Sequence, residues 1–236
     1  MMFIWQPKKK LKGRVIVDDK KEFQEDIPLP PENTAAKIQK WKAGTPIERI
    51  HKAEFKGAEF NPGVGNARFS PFKNNGIFVP TLYGGENVGV AIMETILHDI
   101  PLNCAGIPVE LSKLDDLAYS QITPKKDIKY VDINPRILKK WGIIQGQLVE
   151  SEASDYHITQ LWAAKIYHDN PDAQAIRWPS KQHGGKAIII FGDRVEEKDL
   201  HVSLESESAA TSKEVNEKLR ELADEMELVL VPTDMT

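Results

Sequence analysis

The sequence predicts an α+β domain. Strand-like segments are separated by loops as often as by helices, which argues against a doubly wound parallel sheet. The unbroken run Ala187-Ile188-Ile189-Ile190-Phe191 reads as a buried strand. Helical spacing of apolar residues occurs at Val90, Met93, Ile96 and Leu97, and again at Val215, Leu219, Leu222 and Met226. The chain has 236 residues, 41% hydrophobic and 28% charged, so it can bury a core without staples.

Residues 1–44 read as an N-terminal extension, with 45–236 as the main domain. The extension holds a basic run (Lys8, Lys9, Lys10, Lys12, Arg14), a short strand at Val15–Val17, and Ile27-Pro28-Leu29-Pro30-Pro31, which cannot lie in a helix or a central strand. The basic run is either a solvated arm or an electrostatic docking site. Thr34 to Ala43 reads as a short helix with Asn33 as N-cap and Gly44 just past its end. Beyond Thr45, Ile47–His51 reads as a strand and Phe55–Asn66 as a loop. Gly76–Tyr83 reads as a strand interrupted by proline, Gly84-Gly85 as a turn, and Asn87–Asp99 as a helix stopped by Pro101. Val109–Leu111 and Ile128–Ile133 follow as strands. Asn134-Pro135 opens a helix that ends at Gly142. Tyr156–His168 is a helix with Leu161, Trp162, Ala164 and Ile166 on its apolar side. Thr211 and Glu214 have the spacing of a capping box, and Glu227–Val231 closes the chain as a strand.

The formal net charge of −4 lacks the basic excess of a nucleic-acid binder. A single cysteine, Cys104, rules out a disulfide within the chain and a cysteine-based zinc site, and fits the cytoplasm. No apolar run spans a bilayer, and Met1–Trp5 is too short for a secretory signal, so no membrane association is expected. The six histidines show no HxxxH pair, so no metal is expected. Gly63-x-Gly65 lacks the third glycine of a dinucleotide fingerprint, and neither a phosphate-binding loop nor a nucleophile elbow occurs.

Four segments in order form a recognisable pattern: Ile47-Glu48-Arg49-Ile50; Ala67-Arg68-Phe69-Ser70-Pro71 followed by Pro80-Thr81-Leu82-Tyr83; Ala91 to Asp99 with Glu94 at its centre; and Ile176-Arg177-Trp178-Pro179-Ser180 followed by Gly185 to Arg194. Together they resemble the RES domain family over residues 45–200. The resemblance implies an ADP-ribosyltransferase-like fold of split, twisted antiparallel sheets with flanking helices. It also implies a toxin that cleaves the nicotinamide–ribose bond of NAD⁺ by phosphorolysis or hydrolysis and is restrained by an Xre-type antitoxin or an immunity protein. NAD⁺ would be the substrate and inorganic phosphate an open co-substrate, with no prosthetic group. Two departures stand out. Many members carry Gly-Arg-Trp-Asn where this chain has Ala67-Arg68-Phe69-Ser70, and an arginine often follows the Pro-Ser turn where this chain has Lys181, which lacks the guanidinium fork.

The chemistry of such a cleavage needs a carboxylate near the anomeric carbon, cations for the diphosphate, an aromatic surface, and hydroxyls that orient ribose. Glu94 falls at the border of the apolar stripe on its helix, where it can reach a cleft or make an ordinary surface contact. Tyr83 ends a strand eleven positions earlier and is either a stacking platform or a core tyrosine. Arg49 and Arg68 flank the Gly/Asn-rich loop and either grip the diphosphate or form surface ion pairs. Glu94, Arg49 and Tyr83 are the expected catalytic residues; Arg68, Phe69, Trp178, Ser180 and Lys181 are the expected substrate-binding ones. His183, beside Gly184-Gly185, is not assigned a catalytic role. Two other functions use the same constellation: an ADP-ribosyltransferase acting on a macromolecule, and a catalytically silent NAD⁺-binding module.

Overall fold

A computed structural model describes residues 27–232 except Leu102 and Gln182. The basic run and the strand expected at Val15–Val17 lie outside the described residues. In chain order the elements are β1 (Ile38–Trp41), β2 (Ile47–Lys52), the hairpin β3 (Lys73–Asn74) and β4 (Ile77–Phe78), β5 (Thr81–Gly85), α1 (Val88–Thr95), β6 (Pro108–Glu110), β7 (Leu117–Pro124) and β8 (Ile128–Asp132). They continue with α2 (Pro135–Trp141), α3 (Gln145–Leu148), α4 (Tyr156–Asp169), β9 (Ala175–Pro179), β10 (Lys186–Phe191), β11 (Leu200–Ser208), α5 (Lys213–Glu225) and β12 (Val229–Val231).

Eight strands form one sheet in the order β1-β8-β9-β10-β5-β2-β7-β11, antiparallel except for β8 beside β9. The sheet has a seam. β5 and β10 pair over five positions and β2 and β7 over six, whereas β2 and β5 meet at the single pair Glu48–Gly85. On one side of the sheet Trp41, Ile128 and Tyr130 from one half join Ile47, Ile122 and Leu200 from the other in one cluster. Gly44 N–H donates to the Pro124 carbonyl at 2.9 Å, tying the end of β1 to the end of β7. The sheet therefore curls around this face, and the helices cover the other one.

Helix α1 straddles the seam. Asn87 caps it by accepting the Val90 N–H at 2.9 Å. Val90 packs into the cluster beneath α2 and α4, while Val88, Ala91, Ile92 and Met93 pack into the cluster shared with α5. Gly85 makes this approach feasible, while Gly84 admits the Ile47 side chain of β2 on the opposite face. Both glycines are strand residues of β5 and do not form the turn expected from their sequence. A Cβ on Gly85 would stand 2.7 Å from Val90 Cγ1, and one on Gly84 would overlap the Ile47 side chain. The helix ends at Thr95, short of the expected Asp99.

Other expectations need correction. The segment expected to be helical from Thr34 holds β1 instead. Its backbone donors are taken before a helix can form: Thr34 N–H by Asp169 at 2.6 Å, Ala36 N–H by Asn170 at 2.9 Å, both at the end of α4, and Ala35 N–H by Asn33 itself at 2.7 Å. Strand β1 then pairs with β8, which builds this part of the extension into the sheet. Thr211 does not cap α5; the N-cap is Ser212, without a side-chain cap bond. The Asn216 amide secures that end by donating to the carbonyls of Ala209, Ala210 and Ser212. On α4, Leu161 faces outward, and the buried side is Tyr156, Thr159, Trp162, Ala163, Ile166 and Tyr167. Strands β7 and β11 were not anticipated. Among the described residues no helix is long and apolar enough to cross a membrane.

Candidate functional site

The segment before β3 carries Arg68, and its path is fixed from α4. The Gln160 amide donates to the Asn66 side chain and to the carbonyls of Ala67 and Ser70, at 2.7, 2.9 and 3.0 Å. The Thr159 hydroxyl donates to the Arg68 carbonyl. With its backbone pinned, Arg68 buries its side chain against the junction between α3 and α4. There Nε donates to Ser151 Oγ at 3.3 Å and one terminal nitrogen to the Ser151 carbonyl at 3.2 Å. The other terminal nitrogen stands 3.9 Å from a Glu94 carboxylate oxygen. The guanidinium carbon is 5.6 Å from the centre of the Tyr156 ring, within cation–π range.

Glu94 lies one helical turn beyond Val90, so α1 presents it along the side that packs toward α4. Its side chain is 18% exposed and that of Arg68 is 9% exposed, so the pair is largely buried and not on open surface. Tyr83 lies on the same face of the sheet as α1, because it alternates with Gly84 and shares its side with Gly85. Its hydroxyl accepts the Phe69 N–H at 3.2 Å, and burial raises its pKa. Tyr83 and Phe69 each meet Trp178 edge to face, with ring centres 5.8 and 5.0 Å apart.

The sequence-expected residues divide accordingly. Arg68, Tyr83 and Glu94 are brought together. Phe69 and Trp178 lie beneath them but are 0% and 1% exposed, so they form a floor and offer no face to a ligand. Ser180 and Lys181 adjoin the site. Lys181 pairs with Glu152 at 3.2 Å, and Arg68 is bound to the preceding residue, Ser151. The Ser180 hydroxyl, Trp178 Nε1 and His183 Nδ1 are buried without hydrogen-bond partners among the described residues. Three of the six such atoms thus fall within the short stretch 178–183.

Arg49 is placed elsewhere. Its aliphatic stem lies beside Gly84, whose missing Cβ points away from α1, so Arg49 projects from the opposite side of the sheet. Its guanidinium donates to the carbonyls of Lys56 and Gly57, and burial lowers its pKa to about 10. His51 shares that side. Its Nδ1 faces the Lys52 carbonyl and must carry the proton, so Nε2 accepts from the Ser120 hydroxyl at 2.9 Å. Burial, with Arg49 beside it, lowers the imidazole pKa to about 4. On the helix side, buried Glu48 accepts from the Tyr119 hydroxyl at 2.8 Å and the Gln121 amide at 2.9 Å, and burial raises its pKa.

Sequence reasoning missed the bracket formed by Ser151, Glu152, Tyr156, Thr159 and Gln160. Polar residues at the start of an otherwise apolar helix were the available signal. A groove of about 580 Å³ opens elsewhere, between the first turn of α1, His183 and the charged side of α5. Among the described residues, no group of three or more His, Cys, Asp or Glu side chains is arranged to hold a metal ion.

Comparison with known proteins adds two findings. A family model described as RES domain matches residues 41–210. Among the solved structures that match is one described as "Crystal structure of the M.tuberculosis MbcT-MbcA toxin-antitoxin complex". That likeness has a TM-score of 0.51 and 14% identity, and covers 76% of this chain and 92% of the other. At such identity it speaks to the fold alone, and it supports an α+β domain with a curled sheet and flanking helices. No curated protein matches.

Proposed function

This chain belongs to the RES domain family, and from that premise we propose that it cleaves the nicotinamide–ribose bond of NAD⁺ and acts as a toxin that depletes the dinucleotide. The observation that carries the reading is the approach of the Glu94 carboxylate to the Arg68 guanidinium, 3.9 Å apart, beside two tyrosine rings. Nicotinamide is already a good leaving group, because it departs as a neutral base from a cationic glycoside. The barrier lies in the positive charge that grows on the ribose ring, and a fixed, largely buried anion lowers it.

Without ligand, Arg68 and Glu94 are each other's nearest counter-charges. A diphosphate competes for the guanidinium through its bidentate fork, leaving the carboxylate to face the sugar. Lys181 supplies a second cation on the same bracket, as a point charge. As the C1′–N bond breaks, its electron pair leaves with nicotinamide. A phosphate oxygen, or a water that then loses a proton, forms the new bond to C1′. Arg49 takes no part from its described position; it would have to leave the carbonyls of Lys56 and Gly57 and cross the seam. An antitoxin partner fits this reading, by analogy with the toxin–antitoxin complex that shares the fold.

Proton and phosphorus NMR of NAD⁺ incubated with the protein, with and without phosphate, tests the proposal. Free nicotinamide should appear, and a new sugar-phosphate resonance that requires added phosphate would identify phosphorolysis. NAD⁺ that stays intact through prolonged incubation would overturn it.

A further inference from the structure

The site contains two phenols, and they differ in what their hydroxyls do. That of Tyr83 already takes the Phe69 N–H and lies among buried rings. That of Tyr156 has no hydrogen bond to any described residue, yet it is not among the fully enclosed polar atoms without partners, so it retains access to solvent. The rest of Tyr156 is buried, at 8% exposure, as the first residue of α4. Its ring lies against the Arg68 guanidinium; burial raises the pKa of its phenol, on which the charges of Arg68, Asp99, Glu94 and Glu152 also act. The side chain is therefore held in place by its ring while its one polar atom has no hydrogen-bond partner among the described residues, within the field of the Arg68 and Glu94 charges.

Resting on the NAD⁺-cleaving reading, we propose that Tyr156 is a ligand-binding residue whose hydroxyl hydrogen-bonds the ribose hydroxyls of the sugar that Glu94 faces. The geometry favours ribose over the diphosphate. Arg68 and Lys181 already provide cations for the anionic groups, and a vicinal diol is suited to a group that can both donate and accept. The ring flanks the Arg68 guanidinium, and the hydroxyl fixes how the sugar turns against Glu94.

Tyr156→Phe removes only the oxygen. Because that oxygen has no hydrogen-bond partner among the described residues, the denaturation midpoint should not change. With NAD⁺, kcat/KM should fall about 10-fold, and ADP-ribose should bind about 5- to 10-fold more weakly, the effect of losing one neutral hydrogen bond. ADP, which lacks the second ribose, should bind the variant and the wild type equally. Unchanged turnover with unchanged ADP-ribose affinity overturns the proposal, and so does an equal weakening of ADP, which would mark a general disturbance of the pocket. If the wild type binds ADP-ribose but leaves NAD⁺ intact, the cleavage reading fails, and the contrast between ADP-ribose and ADP still decides the role of Tyr156. If the wild type binds neither, both readings fall.

Discussion

Replacing Glu94 by glutamine isolates the charge on which the proposed chemistry depends, because the amide keeps the shape of the carboxyl. The structural cost should be moderate. The 3.9 Å separation leaves the pair without a hydrogen bond, and Glu94 is partly open to water. Removing one partner of a pair this buried costs more than the ~1 kcal/mol of an exposed pair and less than the ~3–5 kcal/mol of a hydrogen-bonded buried one. Arg68 keeps both of its bonds to Ser151, so the loop it anchors should stay in place. The chemical cost should be larger. A fixed charge aimed at a developing cation is worth about 3–4 kcal/mol of barrier, or a loss of 10²- to 10³-fold in kcat. The assay pairs nicotinamide release from saturating NAD⁺ with urea denaturation of the same preparation. Activity within a few-fold of the wild type would refute the assignment of Glu94. A collapse in stability would refute the claim that its bond to Arg68 is dispensable to the fold.

Three further outcomes follow from particular contacts. His51 has a folded pKa of about 4 against an ordinary 6.5, so it contributes stability above pH 6.5 that fades as pH falls toward 4. Between pH 7 and pH 5 this amounts to about 2 kcal/mol in denaturant titrations, and the loss should be absent in His51→Gln. The comparison with that variant matters because Glu48, whose pKa is raised, acts in the opposite direction. Gly85→Ala should destabilise by about 1–3 kcal/mol, since its methyl group meets Val90 at 2.7 Å and the Ala91 nitrogen at 3.0 Å; a neutral result in thermal unfolding would mean that α1 can lift from the seam. Arg49→Lys should cost about 1–3 kcal/mol, because an ammonium cannot reproduce the planar fork that faces the carbonyls of Lys56 and Gly57. Equal denaturation midpoints for variant and wild type would exclude that bracing role.

Much of the fold was legible because the signals were local. The apolar run of β10 is where it was expected. Asn134-Pro135 opens α2, and Gly142, at φ 75°, closes it in the left-handed region. The start of α1 was legible to within one residue: Asn87, read as its first residue, is its N-cap. The failures share one cause. Thr34 to Ala43 has helix signals, but its donors are claimed by Asp169 and Asn170, more than 130 positions away. Gly84-Gly85 carries the composition of a turn, and only the packing shows that Gly85 admits the helix above it and Gly84 the Ile47 side chain of β2 on the other face. Strand β11 alternates Leu200, Val202 and Leu204 with polar residues, a weak pattern broken by two register shifts.

The site divides in the same way. The sequence by itself determined which chemical groups are available, a helical glutamate, a strand tyrosine and arginines around a glycine-rich loop, because residue type and local spacing are written in it directly; that Tyr83 lies at the middle of β5 and not at its end was not legible. It also determined the α+β class. Only the tertiary structure decided which of these groups meet. Arg49 and Arg68 look equivalent in sequence, but strand alternation turns Arg49 to the far side of the sheet, while Gln160, Thr159 and Ser151 swing Arg68 toward Glu94. Whether a side chain faces a cleft depends on pairing register and on partners distant in sequence, and a one-residue shift of register would exchange the two faces.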